Sequence, residues 1–200
     1  IITYKVTKKK PPTTFLTLFL YRTHVFLIKW YGPFIDPKDV KDWEEKQNFK
    51  CSLYLLHGKL KYAKTKEKYY CGMSIRNIYK RLKDKGHHIE EIREHLNSIY
   101  IGCLSNVKQP TRNQIMLAEK KSNASLADIV GEESVLNSTN TLFPLENVFV
   151  INEWWKTTGE SVWERQPKNA PSSIVPDVLT YHFKGNDENE LFGCKKLKRL

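Results

Sequence analysis

Two short segments, Ser52-Leu53-Tyr54 and Tyr70-Cys71-Gly72, most constrain how this chain can fold. They belong to strand-like runs, Ser52 to His57 and Lys68 to Gly72, separated by a stretch that carries Lys59, Lys61, Lys64 and Lys66. Two such runs joined by a polar turn predict a β-hairpin. Alternate residues of a strand share a face, so Tyr70 and Gly72 point one way. Pairing that face with the one bearing Tyr54 brings the two phenols together. Gly72 leaves room for a second backbone to approach and frees the chain to turn. Ser74 then stands where a helix cap belongs, and Ile75, Ile78, Tyr79 and Leu82 have the spacing of a helix's apolar face, ending near Gly86. Arg81 lies about 60° from Ile78 on that helix. It borders the buried face, so packing can hold its stem while its head reaches a groove.

The flanking segments are short and of both kinds. Val25 to Tyr31 predicts a strand closed by Gly32-Pro33, and Asp36-Pro37 opens a helix through Val40 and Trp43 to about Gln47. A short helix is expected over Ile89 to Leu96 and a strand over Ser98 to Cys103. Thr111-x-x-Gln114 is a capping box that starts a helix to about Ser122, with a further helical stretch over Ser125 to Gly131. Val148 to Trp154 and Val178 to Phe183 read as strands, and Gln166 to Pro176 as a loop. This order predicts an α+β fold: a small, mostly antiparallel central sheet flanked by helices, not a doubly wound one. Residues 1–24 are expected to be a basic arm, 25–165 one domain, and 166–200 a C-terminal extension with a basic tail.

Composition narrows the partners. With 40% hydrophobic residues the chain can bury a core. A net charge of +11 and a pI near 9.4 favour a polyanion, nucleic acid before an anionic membrane surface. Cys51, Cys71, Cys103 and Cys194 form no close-spaced pair, which argues against zinc and for reduced thiols in a cytoplasmic setting. The apolar run from Thr13 to Ile28 is interrupted by Arg22, Thr23 and His24, too short and polar for a membrane span. Ile1 in first place leaves the true start of the chain open.

Two phenols beside a guanidinium suit phosphodiester cleavage, since a phenolate can take a proton from water and a guanidinium can hold a phosphate by two parallel hydrogen bonds. The run Tyr70-Cys71-Gly72-Met73-Ser74 with Arg81 behind it resembles the second motif and arginine helix of the GIY-YIG nuclease superfamily, and Ser52-Leu53-Tyr54 resembles its first motif. The resemblance covers roughly residues 50–140. Ser52-Leu53 replace glycine and isoleucine, sixteen positions separate Tyr54 from Tyr70, and Lys85 stands where a histidine often follows, with His87 and His88 just beyond.

The resemblance implies a metal-dependent endonuclease acting on DNA. Tyr54 would be the general base, Tyr70 would orient the water, Arg81 would bind the scissile phosphate and His87 would take the histidine's place. Glu119, in Ile115-Met116-Leu117-Ala118-Glu119, would hold one Mg²⁺ (or Mn²⁺), and Asn137 would close the core. A homodimer would suit symmetric cutting of two strands. An ordinary tyrosine is ionised only about once in a thousand at neutral pH, so Arg81, the metal and a lysine such as Lys68 are expected to assist Tyr54. The rival reading is a nucleic-acid-binding module on the same scaffold without activity. A peripheral membrane protein is third, because the apolar face at 75–85 is needed for the core. Trp154, Trp155 and Trp163 are expected to be packing residues.

Overall fold

Side chains that alternate along the strands make a sheet covered on both sides. The structure is a computed structural model that describes residues 23–85, 88–137, 147–160, 178–182 and 190–194. Its strands are β1 (Thr23–Phe34), β2 (Leu53–Leu60), β3 (Ala63–Met73), β4 (Leu96–Leu104), β5 (Asn147–Trp155), β6 (Val178–His182) and β7 (Glu190–Cys194). They lie in the order β3-β2-β4-β1-β5-β6-β7, with β1 and β5 parallel and the other pairs antiparallel. The fold is therefore α+β with a mixed sheet. With seven strands among the described residues it is larger than the small sheet expected.

The helices are α1 (Pro37–Lys46), α2 (Ile78–Leu82) and α3 (Arg112–Val130). Phe26, Ile28, Trp30, Leu53 and Leu55 pack with Ile115, Ala118 and Leu126 of α3 on one face. Tyr54, Leu56, Tyr70, Ile99 and Ile101 pack with Val40, Trp43, Ile78 and Leu82 of α1 and α2 on the other.

The helix boundaries show where local signals hold and where they yield. Asp36 caps α1, its Oδ1 accepting from the Lys38 N–H at 2.7 Å, with Pro37 in the first turn. The Thr111–Gln114 capping box is reciprocal. The helix it starts runs unbroken for 19 residues, through the point near Ser122 where the sequence suggested a stop. By contrast α2 has only five residues. Ser74 does not cap it: its hydroxyl accepts from the Arg76 N–H at 3.2 Å and donates to the Arg76 carbonyl at 2.8 Å, a local turn that delays the helix. Ile75 consequently stands 60% exposed instead of joining the apolar face. The Glu44 carboxylate of α1 starts α2 instead, accepting from Ile78 N–H at 2.9 Å and Tyr79 N–H at 3.0 Å. The helix expected over 89–96 is two 3-10 turns, His88–Glu91 and Arg93–His95.

β2 and β3 extend further than expected and meet in a tight turn at Lys61 and Tyr62, so Lys59, Lys64 and Lys66 lie on strands. β3 is an edge strand. Its outer side is partly closed by residues 135–137, through a Tyr69–Val135 bridge and a Leu136 N–H to Tyr69 carbonyl bond of 2.9 Å. Residues 1–22 of the expected basic arm, Trp163, the linker at 166–176 and the end beyond Cys194 lie outside the described residues, as does His87, whereas Thr23 and His24 of that arm belong to β1. Among the described residues no helix is long and apolar enough to cross a membrane.

Candidate active site

The register of the hairpin sets the site. Tyr54 pairs with Gly72 and Leu56 with Tyr70, so the two phenols are diagonal neighbours on one face. Their rings stack with centroids 5.7 Å apart and planes 17° from parallel. Gly72 makes room for these rings: a Cβ there would lie 2.5 Å from Tyr54 Cζ and 2.6 Å from Tyr70 Cε1. The glycine thus serves the tyrosines themselves, and the close approach expected of a foreign backbone is made by their rings.

Beside Tyr70, at the edge of β3, lies a cleft of about 560 Å³. Tyr70 enters it from β3, Arg81 from α2, and Arg112, Met116 and Glu119 from α3; Arg76, His88 and Asn137 complete its rim. Residues 112, 116 and 119 are spaced i, i+4, i+7, so one stripe of α3 faces the cleft. Three of the sequence-selected residues, Tyr70, Arg81 and Glu119, are brought together here from three separate elements. Tyr54 is the exception. It stands behind Tyr70, 0% exposed, and does not line the cleft.

Electrostatics distinguish the two phenols. Burial raises the pKa of Tyr54, against the lowering influence of the Arg81 guanidinium and the Tyr70 hydroxyl, and the charge of Glu119 adds to the rise. Among the described residues the Tyr54 hydroxyl makes no hydrogen bond of normal geometry, although both groups act on it at short range. Tyr70 is raised as well, by burial first and then by Tyr54 itself. Lys68, expected to assist it, instead donates to the Glu133 carbonyl and is not among the groups acting on Tyr54.

Arg81 is held by Asp84, its Nη1 donating to Oδ2 at 2.9 Å, and Arg76 donates to the same oxygen. Burial opposes the Arg81 charge, but Tyr54 and Asp84 together outweigh it and raise its pKa. Asp84 is lowered chiefly by the Arg81 hydrogen bond. Asp84, Arg76 and Arg112 were not picked out by sequence; only the i, i+3 spacing of Arg81 and Asp84 hints at one of them. Asn137 is buried, and its amide donates to the Cys71 carbonyl at 3.3 Å, beside a 2.9 Å bond from Asn123 to the same oxygen. His88 reaches the cleft, with Nδ1 3.1 Å from Glu91 Oε1. Trp154 is core, stacked on Trp30 at 5.9 Å.

Among the described residues Glu119 is the one carboxylate lining the cleft, and no three His, Cys, Asp or Glu side chains converge as a metal cage. Mg²⁺ does not require such a cage. It binds through one or two carboxylates, retained waters and substrate phosphate oxygens. A single carboxylate on the wall of a cleft with room for water and a phosphate group fits that mode of binding. No family model, no curated protein and no solved structure matches this chain.

Proposed function

We propose that this protein is a metal-dependent endonuclease of GIY-YIG type, hydrolysing phosphodiester bonds in DNA at the cleft between α2 and α3. The observation that carries the reading is the convergence of Tyr70, Arg81 and Glu119 in one cleft with Tyr54 stacked behind. A phenol pair, a guanidinium braced by a carboxylate, and a single carboxylate among cations suit a phosphate diester better than a neutral substrate.

In this mechanism Arg81, fixed by Asp84, holds the scissile phosphate by charge-assisted hydrogen bonds. Tyr70, the phenol that faces the cleft, positions the attacking water. As the water oxygen bonds to phosphorus and the bond to the leaving oxygen breaks, Tyr70 takes the water's proton and passes its own to the Tyr54 phenolate. Solvent then protonates the leaving oxygen. Glu119 would hold Mg²⁺ or Mn²⁺, which when bound supplies charge stabilisation for the leaving oxygen.

The test is cleavage of supercoiled plasmid with Mg²⁺ and with EDTA, by the wild type and by Arg81→Ala and Glu119→Ala. Metal-dependent nicking or linearisation is expected, reduced at least about a hundredfold in both variants. A Glu119→Ala protein of full activity would refute the assigned metal ligand. The rival reading, a binding module without activity, draws on the complete burial of Tyr54. It would be favoured by salt-sensitive DNA binding with no cleavage in either metal.

A further inference from the structure

A second groove, of about 810 Å³, adjoins the cleft, with Ile75 and Arg112 lining both. Its cationic side chains are Lys29, Lys50, Lys108 and Arg112, and among the described residues no Asp or Glu lines it. The Lys50 ammonium donates to the Ile75 carbonyl at the junction of the two clefts, and the Lys29 ammonium sits 4.3 Å from the centre of the Trp155 ring. The positive end of α3 opens beside it, after Lys108 and Pro110.

The groove is also apolar in an unusual way. Five large apolar side chains stand exposed among the described residues, and two of them, Phe49 at 41% and Ile75 at 60%, line this groove. Phe49 is not loose: its ring is backed by Tyr31 at 5.6 Å and meets Trp43 edge-on at 5.9 Å. A duplex offers such a groove only its phosphates and leaves the ring without a role. An unpaired strand offers both phosphates for the cations and base faces for the ring.

We infer that this groove carries an unpaired nucleic-acid strand away from the catalytic cleft. A base stacks on Phe49, Arg112 and Lys108 bind the phosphates, and Ile75 stands between the nucleotide in the cleft and the next. The inference rests on the nuclease reading for its direction, but the groove's binding is measurable without any cleavage.

The test is fluorescence anisotropy in EDTA, with labelled oligothymidylate and a labelled hairpin duplex of equal length, across a salt series. The proteins are the wild type, Phe49→Ala, Lys108→Ala and, as a control outside the groove, Tyr62→Ala, whose side chain is 92% exposed. Thermal melting checks that each is folded. Phe49→Ala is expected to weaken single-strand binding about tenfold. Lys108→Ala is expected to flatten the log–log salt slope by about 0.7. Tyr62→Ala is expected to bind as the wild type does. The inference is overturned if both groove variants bind like the wild type, if the duplex is preferred, or if the wild type does not bind the single strand. Plasmid cleavage by the same preparations separates the two claims. Groove-dependent binding without cleavage removes the nuclease reading alone, and cleavage with groove-independent binding removes this inference alone.

Discussion

The Tyr54 hydroxyl is buried and, among the described residues, lacks a hydrogen bond of normal geometry, although Arg81 and Tyr70 act on it at short range. A buried polar group without a good hydrogen bond costs about 1–3 kcal/mol, and a phenylalanine would pack in the same space. Its retention fits a chemical role, and so does the glycine opposite it. Gly72→Ala is expected to push the stacked rings apart and destabilise the fold by roughly 1–3 kcal/mol in urea unfolding, with weaker cleavage. Unchanged stability would mean that the rings are not held as described. Because the Tyr54 pKa is raised from 10.0 in the free protein, the active, ionised form grows with pH throughout the neutral range. Log kcat/KM is therefore expected to rise by nearly one per unit between about pH 6.5 and 8.5, since that quantity reports the free enzyme. A flat profile would contradict a tyrosine base. At this scale Tyr70, Arg81 and Glu119, which the resemblance to the GIY-YIG superfamily singled out, line one cleft. The sequence could not reveal that Tyr54 sits behind Tyr70, because strand alternation gives a face but not a depth.

The elements explain why Arg81 is where it is. Five residues are too few for a helix to stand on its own propensity, so α2 depends on Glu44 of α1 for its N-terminus. Glu44→Ala is expected to cost about 1–2 kcal/mol in thermal or urea unfolding and to lower cleavage through a poorly placed Arg81. Full activity at unchanged stability would show that α2 holds its position by packing alone. Nothing in the local sequence could have shown this, because the cap comes from 34 residues away. Ser74 misled for a related reason: a serine before a helical pattern closes a local turn as readily as it caps. α3 misled in the opposite direction. Lys121, Ser122, Asn123 and Ser125 interrupt its apolar pattern, yet all are buried, Asn123 by bonding to the Cys71 carbonyl. A polar stretch reads as a break only when its partners in the tertiary structure are unknown.

Across the whole molecule, both sheet faces carry helices, and the cleft lies at the β3 edge where helices from opposite faces come together. The α+β class was legible from the mixed order of short elements. The parallel β1–β5 pair and β7 were not, because such long-range pairings leave no local pattern and the short β7 segment lies among charged residues. The fold also tolerates a buried lysine: Lys121 is 0% exposed, and burial lowers its pKa from 10.5 to about 7. Between those values the unfolded chain holds a proton that the native lysine lacks, so stability rises with pH across that window. The stability of Lys121→Met relative to the wild type is therefore expected to grow as pH falls from about 10 to about 7, measured by urea unfolding across that range. A relative stability that does not change with pH would show that the lysine keeps its charge in the fold.

In the proposed mechanism the Tyr54 hydroxyl is kept for chemistry and not for stability, and Tyr54→Phe tests this most directly. Urea unfolding and metal-dependent plasmid cleavage would be measured on the same preparations of wild type and variant. The expected result is a variant as stable as the wild type or about 1 kcal/mol more so, with cleavage lost. A variant that is less stable yet still cleaves at the wild-type rate would rule out a chemical role for the hydroxyl, leaving Tyr54 as a packing residue.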